Sequence, residues 1–171
     1  MPFRYSPLLV LIIVLSVVWR PAKAQTSSYP ELQAAYMYNF AKYISWPTEA
    51  PQFVIGIFED ADIMLGLETT LKGKKVRSKP IVLKIVTTLD ELLECNIVYL
   101  SESHSKSINK LTDAMRNKSI LIVTEEDLVR KGATISFLVK EDRLKFKVNV
   151  KALKQVGLVA SEGLLNLAIL Y

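Results

Sequence analysis

The sequence predicts an α/β fold: a single three-layer domain with a mostly parallel sheet, helices on both faces and an antiparallel hairpin near the C-terminus. Three observations lead to this prediction. Short apolar runs rich in Val and Ile alternate with longer amphipathic stretches, as in βαβ units. These runs are continuous rather than alternating, which is typical of strands covered on both faces. Two alternating runs near the end, 134–140 and 144–150, suit a hairpin.

The same patterns predict the individual elements. Pro30 suits the first turn of a helix that ends before Trp46 and Pro47. Strands are expected at 53–58, 81–86, 96–100 and 119–123, with helices at 61–71 and 106–116 and one turn near 89–93. Asn149 and Ser161 are expected to cap two short closing helices. Helical spacing predicts that the core face of the first helix consists of Leu32, Ala35, Tyr36, Asn39, Phe40 and Tyr43.

The N-terminus has the order of parts of a secretory signal peptide. Arg4 supplies the positive charge, the run 8–19 is apolar apart from Ser16, and the segment 22–24 has the small-residue pattern of a cleavage site. The apolar run is too short for a membrane-spanning helix, which needs about 20 residues. We therefore expect residues 1–24 to be cleaved and residues 25–171 to form one exported domain that does not itself span the membrane.

Composition narrows the range of functions. Loss of Arg4, Arg20 and Lys23 lowers the formal net charge from +5 to +2, because residues 1–24 contain no acid. The remaining basic residues are interleaved with acids, so no basic stripe indicates a nucleic-acid partner. Cys95 is the only cysteine, which excludes an internal disulfide. Its apolar neighbours favour a buried, unpaired thiol.

The sequence contains no familiar catalytic or cofactor-binding set. A single histidine, His104, cannot build a histidine metal site, and neither a Gly-x-Ser-x-Gly elbow nor a glycine-rich phosphate loop is present. A triad of serine, histidine and acid assembled in space remains open. We therefore expect a non-enzymatic protein without cofactor or metal ion. Six aromatic residues between positions 29 and 46 indicate a core and a ligand pocket, for which Tyr36, Tyr38 and Trp46 are the candidates.

The segment 35–47, AYMYNFAKYISWP, resembles the opening signature of the YfiR family, also called the DUF4154 family. The segments 95–101, 132–135, 144–149 and 157–168 are similar to later motifs of that family. The resemblance implies a periplasmic α/β regulator that binds the outer part of an inner-membrane signalling protein, typically a diguanylate cyclase, and holds it inactive. It also implies disulfides, whereas this chain has only Cys95 and carries Ile55-Gly56-Ile57 in the first strand, where a partner cysteine would be expected.

Two functional hypotheses follow. The first is a periplasmic regulator that represses an inner-membrane sensor by protein contact, and the alternative is a small-molecule sensor that acts with a histidine kinase. A second copy of the chain, giving a homodimer, is a further candidate partner. We expect partner contact at the second hairpin strand, through Lys145 and Lys147, and at Leu158 and Leu164, because an edge strand can pair with another chain. The alternative is that the lysines form only a solvated face.

Overall fold

The computed structural model of the protein describes residues 29–47, 50–59 and 63–171. The predicted signal peptide lies outside the described residues. Six α-helices and ten strands form in this part of the chain. The helices are α1 (Tyr29–Tyr43), α2 (Met64–Leu71), α3 (Leu89–Leu93), α4 (Ile108–Ala114), α5 (Val150–Gln155) and α6 (Glu162–Leu167), and 3₁₀ helices cover Glu102–Ser107 and Val129–Lys131.

An eight-stranded mixed sheet forms the centre of the fold. Its strands are β2 (Phe53–Phe58), β3 (Lys75–Val76), β4 (Lys79–Val86), β5 (Ile97–Leu100), β6 (Leu121–Thr124), β7 (Ile135–Lys140), β8 (Arg143–Val148) and β10 (Ile169–Leu170). Across the sheet they lie in the order β10-β8-β7-β6-β5-β2-β4-β3. The pairs from β4 to β7 are parallel, and β7 with β8 forms the antiparallel hairpin. The predicted fold class is confirmed.

The central strands are buried on both faces, as their continuous apolar runs predict. Every residue of β2, β5 and β6 is buried. One face of the sheet packs against α1, α2 and α6, and the other packs against α3 and α4. A separate two-stranded ribbon pairs β1 (Ile44–Ser45) with β9 (Val159–Ala160). Strands of only two residues have no periodicity of their own, so they were not predicted from the sequence.

The predicted core face of α1 is wrong by about a third of a turn. Among its predicted members only Phe40 is buried, whereas Leu32 and Tyr43 are exposed. The buried residues of this helix are Gln33, Ala34, Met37, Phe40 and Ala41. Gln33 is tolerated in the core because its side-chain oxygen accepts a hydrogen bond from the Tyr99 hydroxyl at 3.4 Å. The outward face of α1 is consequently apolar.

The C-terminal region folds largely as predicted, with one important addition. The hairpin turn contains only Glu141 and Asp142, both with positive φ, as a two-residue type I′ turn requires. The Asn149 and Ser161 side chains cap α5 and α6. Beyond α6, β10 pairs in parallel with Lys147 and Val148. The second hairpin strand is therefore not the last strand of the sheet, and the end of its edge is covered at Lys147 and Val148.

Cys95 is buried and free, as predicted. Its thiol donates a hydrogen bond to the Glu91 carbonyl oxygen at 3.4 Å. Burial raises the pKa of the Cys95 thiol to about 11, so the thiol is neutral at physiological pH. Gly56 lies opposite the sulfur, and a Cβ atom at this position would be 2.6 Å from Sγ. The absence of a side chain at position 56 makes room for the thiol.

Candidate functional site: an apolar groove beside the first helix

An apolar groove of about 310 Å³ lies between α1 and α6. Phe146 of β8 contributes to its lining, and Leu164 lines it from the α6 side. The lining contains no ionisable group other than tyrosine hydroxyls. The apolar groove is lined by Tyr36, Asn39, Tyr43, Phe146, Ser161, Gly163, Leu164 and Leu167.

Backbone pairing holds α6 beside the end of α1. Ile44, directly after α1, pairs with Ala160, directly before α6. The Ser161 backbone N–H donates to the Tyr43 carbonyl oxygen at 2.9 Å. The Ser161 hydroxyl oxygen then accepts a hydrogen bond from the Leu164 N–H and starts the helix. The spacing of the two groove walls is therefore set by the β1–β9 ribbon and a helix cap.

A cluster of aromatic rings supports the groove from below. The Tyr36 ring lies 5.3 Å from Phe146 and 6.0 Å from Phe137, measured between centroids. The Phe40 ring contacts the Phe146 ring edge-on at 5.1 Å. The Tyr36 hydroxyl donates to the Leu144 carbonyl oxygen at 3.4 Å, which ties α1 to β8. Close ring contacts of this kind give a preorganised floor.

Large apolar side chains at the rim are exposed to solvent. Tyr43 is 48% exposed and Leu167 is 71% exposed. A Cβ atom at Gly163 would have no neighbour within 4 Å, so this wall is open. The Lys42 ammonium lies 5.1 Å above the Tyr43 ring and adds one positive charge at the rim. This arrangement can bind an apolar side chain from another molecule.

The three residues predicted as a ligand pocket do not lie together. Tyr36 lines the apolar groove, but Tyr38 is directed away from it and donates to the Lys75 carbonyl oxygen at 3.4 Å. Trp46 packs edge-on against Phe53 at 5.0 Å and lines a small cavity of about 20 Å³. Its indole N–H has no hydrogen-bond partner among the described residues. Of the three residues, only Tyr36 lines the groove.

The residues predicted to bind a partner also differ in their surroundings. Lys145 is exposed on the part of β8 that β10 does not cover. The Lys147 ammonium forms an ion pair with Asp127. Leu158 and Leu164 are 2% and 3% exposed, so their side chains fill the core and offer almost no surface to a partner. The exposed apolar side chains of the closing segment are Val159, Leu167, Leu170 and Tyr171.

The exposure of Tyr43 and Leu167 to solvent was not predicted from the sequence. A signal for Leu167 was present, because a six-residue helix with leucines at 164, 165 and 167 cannot direct all of them into one core. The signal for Tyr43 was absent. Since α1 is apolar nearly all round, its pattern does not distinguish the face towards the sheet from the face towards solvent.

A serine, a histidine and an acid do meet where β2 and β5 end. His104 Nδ1 lies 3.2 Å from Ser101 Oγ, and its Nε2 lies 3.8 Å from a Glu59 carboxylate oxygen. However, Ser101 is only 5% exposed, and its hydroxyl also bonds to Ser103 at 2.9 Å. The Ser101 hydroxyl thus bonds to two side chains of the 3₁₀ helix that follows it, and its burial disfavours attack on a substrate. Among the described residues, no group of three or more His, Cys, Asp or Glu side chains could hold a metal ion.

Comparison with known proteins connects this geometry to a family. A solved structure of a conserved domain protein from Vibrio cholerae O1 biovar El Tor str. N16961 superposes with a TM-score of 0.57 at 12% sequence identity. The match covers 84% of this chain and 60% of that chain, so it supports the fold alone. No curated protein matches the sequence. The family model described as DUF4154, YfiR/HmsC-like, matches residues 30–169, and the chain therefore belongs to the YfiR/HmsC-like family.

Proposed function

We propose that this protein is exported by a cleavable signal peptide and represses an inner-membrane diguanylate cyclase by binding its periplasmic part. The YfiR/HmsC-like family comprises periplasmic regulators of cyclic-di-GMP signalling that act with an inner-membrane partner. No helix in the described part of the chain is long and apolar enough to cross a membrane. We assign the contact with the inner-membrane partner to the surface of the folded domain.

The observation that carries this proposal is the apolar groove with its exposed rim. Exposed aromatic and aliphatic side chains around a preformed depression are typical of protein-binding surfaces, where a few buried anchors supply most of the binding energy. Leu167 and Tyr43 are the exposed anchors at the rim of this groove. Lys145 is adjacent to Phe146 in β8, but its side chain lies on the opposite face of the sheet from the groove, because side chains alternate along a strand.

Photo-crosslinking in cells tests the position of the contact. The photoreactive residue p-benzoylphenylalanine at position 167 should crosslink the protein to an inner-membrane protein that has a periplasmic domain. Leu65 is the matched control, because it is 73% exposed but belongs to α2 on the far side of α1. Equal crosslinking from positions 65 and 167 would argue against a specific contact at the groove.

A matched pair of substitutions tests repression. Leu167→Glu places a charge at the centre of the proposed contact and should raise the cellular cyclic-di-GMP level, because the cyclase is released. Leu65→Glu should leave this level unchanged. A folded Leu167→Glu protein that represses as well as wild type would refute the proposed surface.

A small-molecule sensor that acts with a histidine kinase is the second candidate function. The groove volume of about 310 Å³ lies at the lower end of the range for ligand pockets. Thermal-shift screening against amino acids and vitamins should raise the melting temperature if a ligand binds the native state. The shift should disappear in Gly163→Trp, which fills the open wall. A shift that persists in this variant would place the ligand elsewhere.

A further inference from the structure

A cluster of basic side chains lies where the end of α1 meets the hairpin of β3 and β4. The stretch 72–79 contains five basic residues and no acid. The fold places this stretch against α1, because the Tyr38 hydroxyl donates a hydrogen bond to the Lys75 carbonyl oxygen at 3.4 Å. Lys42, one turn after Tyr38 in α1, adds a further positive charge. Basic residues that are far apart in the sequence are thus neighbours on the surface.

The Tyr38 ring brings two ammonium groups close together. The Lys74 ammonium lies 4.6 Å from the centroid of this ring, and the Lys42 ammonium lies 5.5 Å from it. The two charges are therefore no further apart than the sum of these distances. Contact with an aromatic ring stabilises an ammonium group without neutralising it. Neither lysine forms an ion pair with an acid among the described residues.

Arg77 extends the cluster towards the β1–β9 ribbon. Its guanidinium donates to the Ile44 carbonyl oxygen at 3.3 Å and to the Ser45 hydroxyl oxygen at 3.1 Å. Both acceptors are uncharged, so these bonds fix the position of the guanidinium and leave its charge uncompensated. Lys42 and the two residues that flank β3, Lys74 and Arg77, thus make this surface positive.

Exposed apolar side chains adjoin these cations. The Lys42 ammonium also contacts the ring of the exposed Tyr43. Ser45, which bonds to Arg77, pairs with Val159 in the ribbon, and directly opposite residues have their side chains on the same face. Val159 is 66% exposed. Basic and apolar side chains are therefore interleaved on this surface, which we name the basic face: Lys42, Tyr43, Lys74, Arg77 and Val159.

Acidic residues do not offset the charge of the basic face. The segments 32–47 and 69–89 contain no acid. Glu31 lies at the opposite end of α1, and Glu49 lies outside the described residues. Glu68 and Glu162 belong to α2 and α6, and neither is ion-paired with the basic face. The surface is consequently positive although the net charge of the exported domain is small.

This combination of side chains fits the surface of a membrane that contains anionic lipids. Each lysine or arginine near such a surface adds to the attraction towards the headgroups. A tyrosine is favoured at the headgroup level, and an aliphatic side chain can enter the boundary with the acyl chains. An acidic peptide would match the charges alone, whereas a bilayer matches the charges and the apolar side chains together.

We propose that the basic face docks on anionic phospholipid headgroups of the inner membrane. The membrane is within reach because the family acts with an inner-membrane partner. Tyr43 also lies at the rim of the apolar groove, so docking places the groove beside the periplasmic part of such a partner. This inference goes beyond repression and rests only on export of the chain. Binding to lipid vesicles needs no partner protein, so the two proposals can fail independently.

Vesicle flotation with residues 25–171 tests the docking. The vesicles contain phosphatidylglycerol and phosphatidylcholine in equal parts, and control vesicles contain phosphatidylcholine alone. The protein should bind only the anionic vesicles, and added salt should weaken the binding. Lys42→Gln combined with Lys74→Gln should lower the affinity roughly tenfold or more, because two charges are lost. Lys151→Gln combined with Lys154→Gln, which removes two exposed charges from α5, should bind as wild type does.

A pair of valine substitutions separates the apolar contact from the charge. Val159→Ser should lower the affinity for the anionic vesicles, because less apolar surface enters the headgroup boundary. Val139→Ser, at a position of β7 that is 57% exposed, should leave this affinity unchanged. All these variants should melt like wild type, since the substituted side chains are exposed.

Three results would overturn the proposal. The first is a wild-type protein that does not bind anionic vesicles or binds neutral vesicles equally well, and the second is a folded Lys42→Gln, Lys74→Gln variant that binds as tightly as wild type. The third is absence of vesicle binding together with loss of crosslinking from position 167 in this double variant, because the basic face would then contact an acidic part of the partner protein. Vesicle binding without any crosslink to a membrane protein would support the docking and refute the proposed function.

Discussion

Gly56→Cys should install a disulfide in the core of this protein, and Gly56→Ser provides its matched control. A Cβ atom at position 56 would lie 2.6 Å from Cys95 Sγ. Across a disulfide the Cβ atom and the distant sulfur are about 3 Å apart, given the bond length of about 2.05 Å. The position therefore needs a shift of only a few tenths of an ångström to form the bond. Gly56→Ser has nearly the same size but cannot form it.

Under oxidising conditions, the two substitutions should change the free energy of unfolding in opposite directions. Serine must be accommodated against the sulfur and against Val86, whose methyl groups would be 3.2 and 3.3 Å from the new Cβ atom. Overpacking of this kind costs about 1–3 kcal/mol. In Gly56→Cys the bond closes a loop of roughly 40 residues, which contributes up to about 4 kcal/mol through the unfolded state. The oxidised cysteine variant should thus be at least as stable as wild type.

Urea unfolding with and without reductant, together with a thiol count, measures both effects. Reductant should lower the free energy of unfolding of Gly56→Cys by several kcal/mol and leave Gly56→Ser unchanged. Two free thiols in the folded, oxidised Gly56→Cys protein would refute this geometric reasoning. So would a Gly56→Ser protein that is as stable as wild type, because the predicted collision would then be absent.

Three further predictions concern stability and binding. Cys95 makes the protein less stable at alkaline pH, because the pKa of its thiol in the folded state, about 11, exceeds the ordinary value of 9.0. The contribution of this thiol to the free energy of unfolding is therefore fully present below pH 9 and is lost as the pH rises towards 11. Wild type should lose roughly 2–3 kcal/mol more over this interval than Cys95→Ala, and equal losses in urea titrations would contradict burial of the thiol. Phe40→Ala should cost about 3–5 kcal/mol, because the ring is fully buried against Phe146, and an unchanged melting temperature would exclude this packing. Lys145→Glu should fold normally and capture less of the partner. Lys154→Glu, which changes another exposed lysine on α5, should fold normally and capture as much partner as wild type. Equal capture by both variants would exclude Lys145 from the contact.

The strands were predictable because a strand that is buried on both faces has a continuous apolar run in the sequence. The predicted bounds of β2, 53–58, agree with the structure, and the other central strands differ by one or two residues at their ends. Caps at Asn149 and Ser161 were predictable for a local reason, since each side chain bonds to a backbone N–H three residues later. Such features need no knowledge of distant parts of the chain.

The orientation of α1 could not be predicted because it depends on contacts with distant parts of the chain. One of these contacts is the hydrogen bond that the Tyr99 hydroxyl of β5 donates to the buried Gln33 side chain. A pattern based on apolar residues places Gln33 outside and rotates the helix towards Leu32 and Tyr43. With this rotation Tyr43, which lies at the rim of the groove, is predicted to be in the core. The groove was not predicted for the same reason.

The partner surface predicted from the sequence and the surface proposed from the structure both use the closing part of the chain, but they use different side chains. The sequence prediction relied on β8 as a sheet edge, and β10 covers Lys147 and Val148 of that edge. Without the edge, the apolar surface of the closing segment has to come from α6, where Leu164 faces the core and Leu167 faces solvent. Among the described strands, β4 is also open on one side beyond Pro80, and the sequence gives no sign of this position in the sheet. The order of strands across a sheet is set by long-range pairing, so composition and periodicity identify strands well and edges poorly.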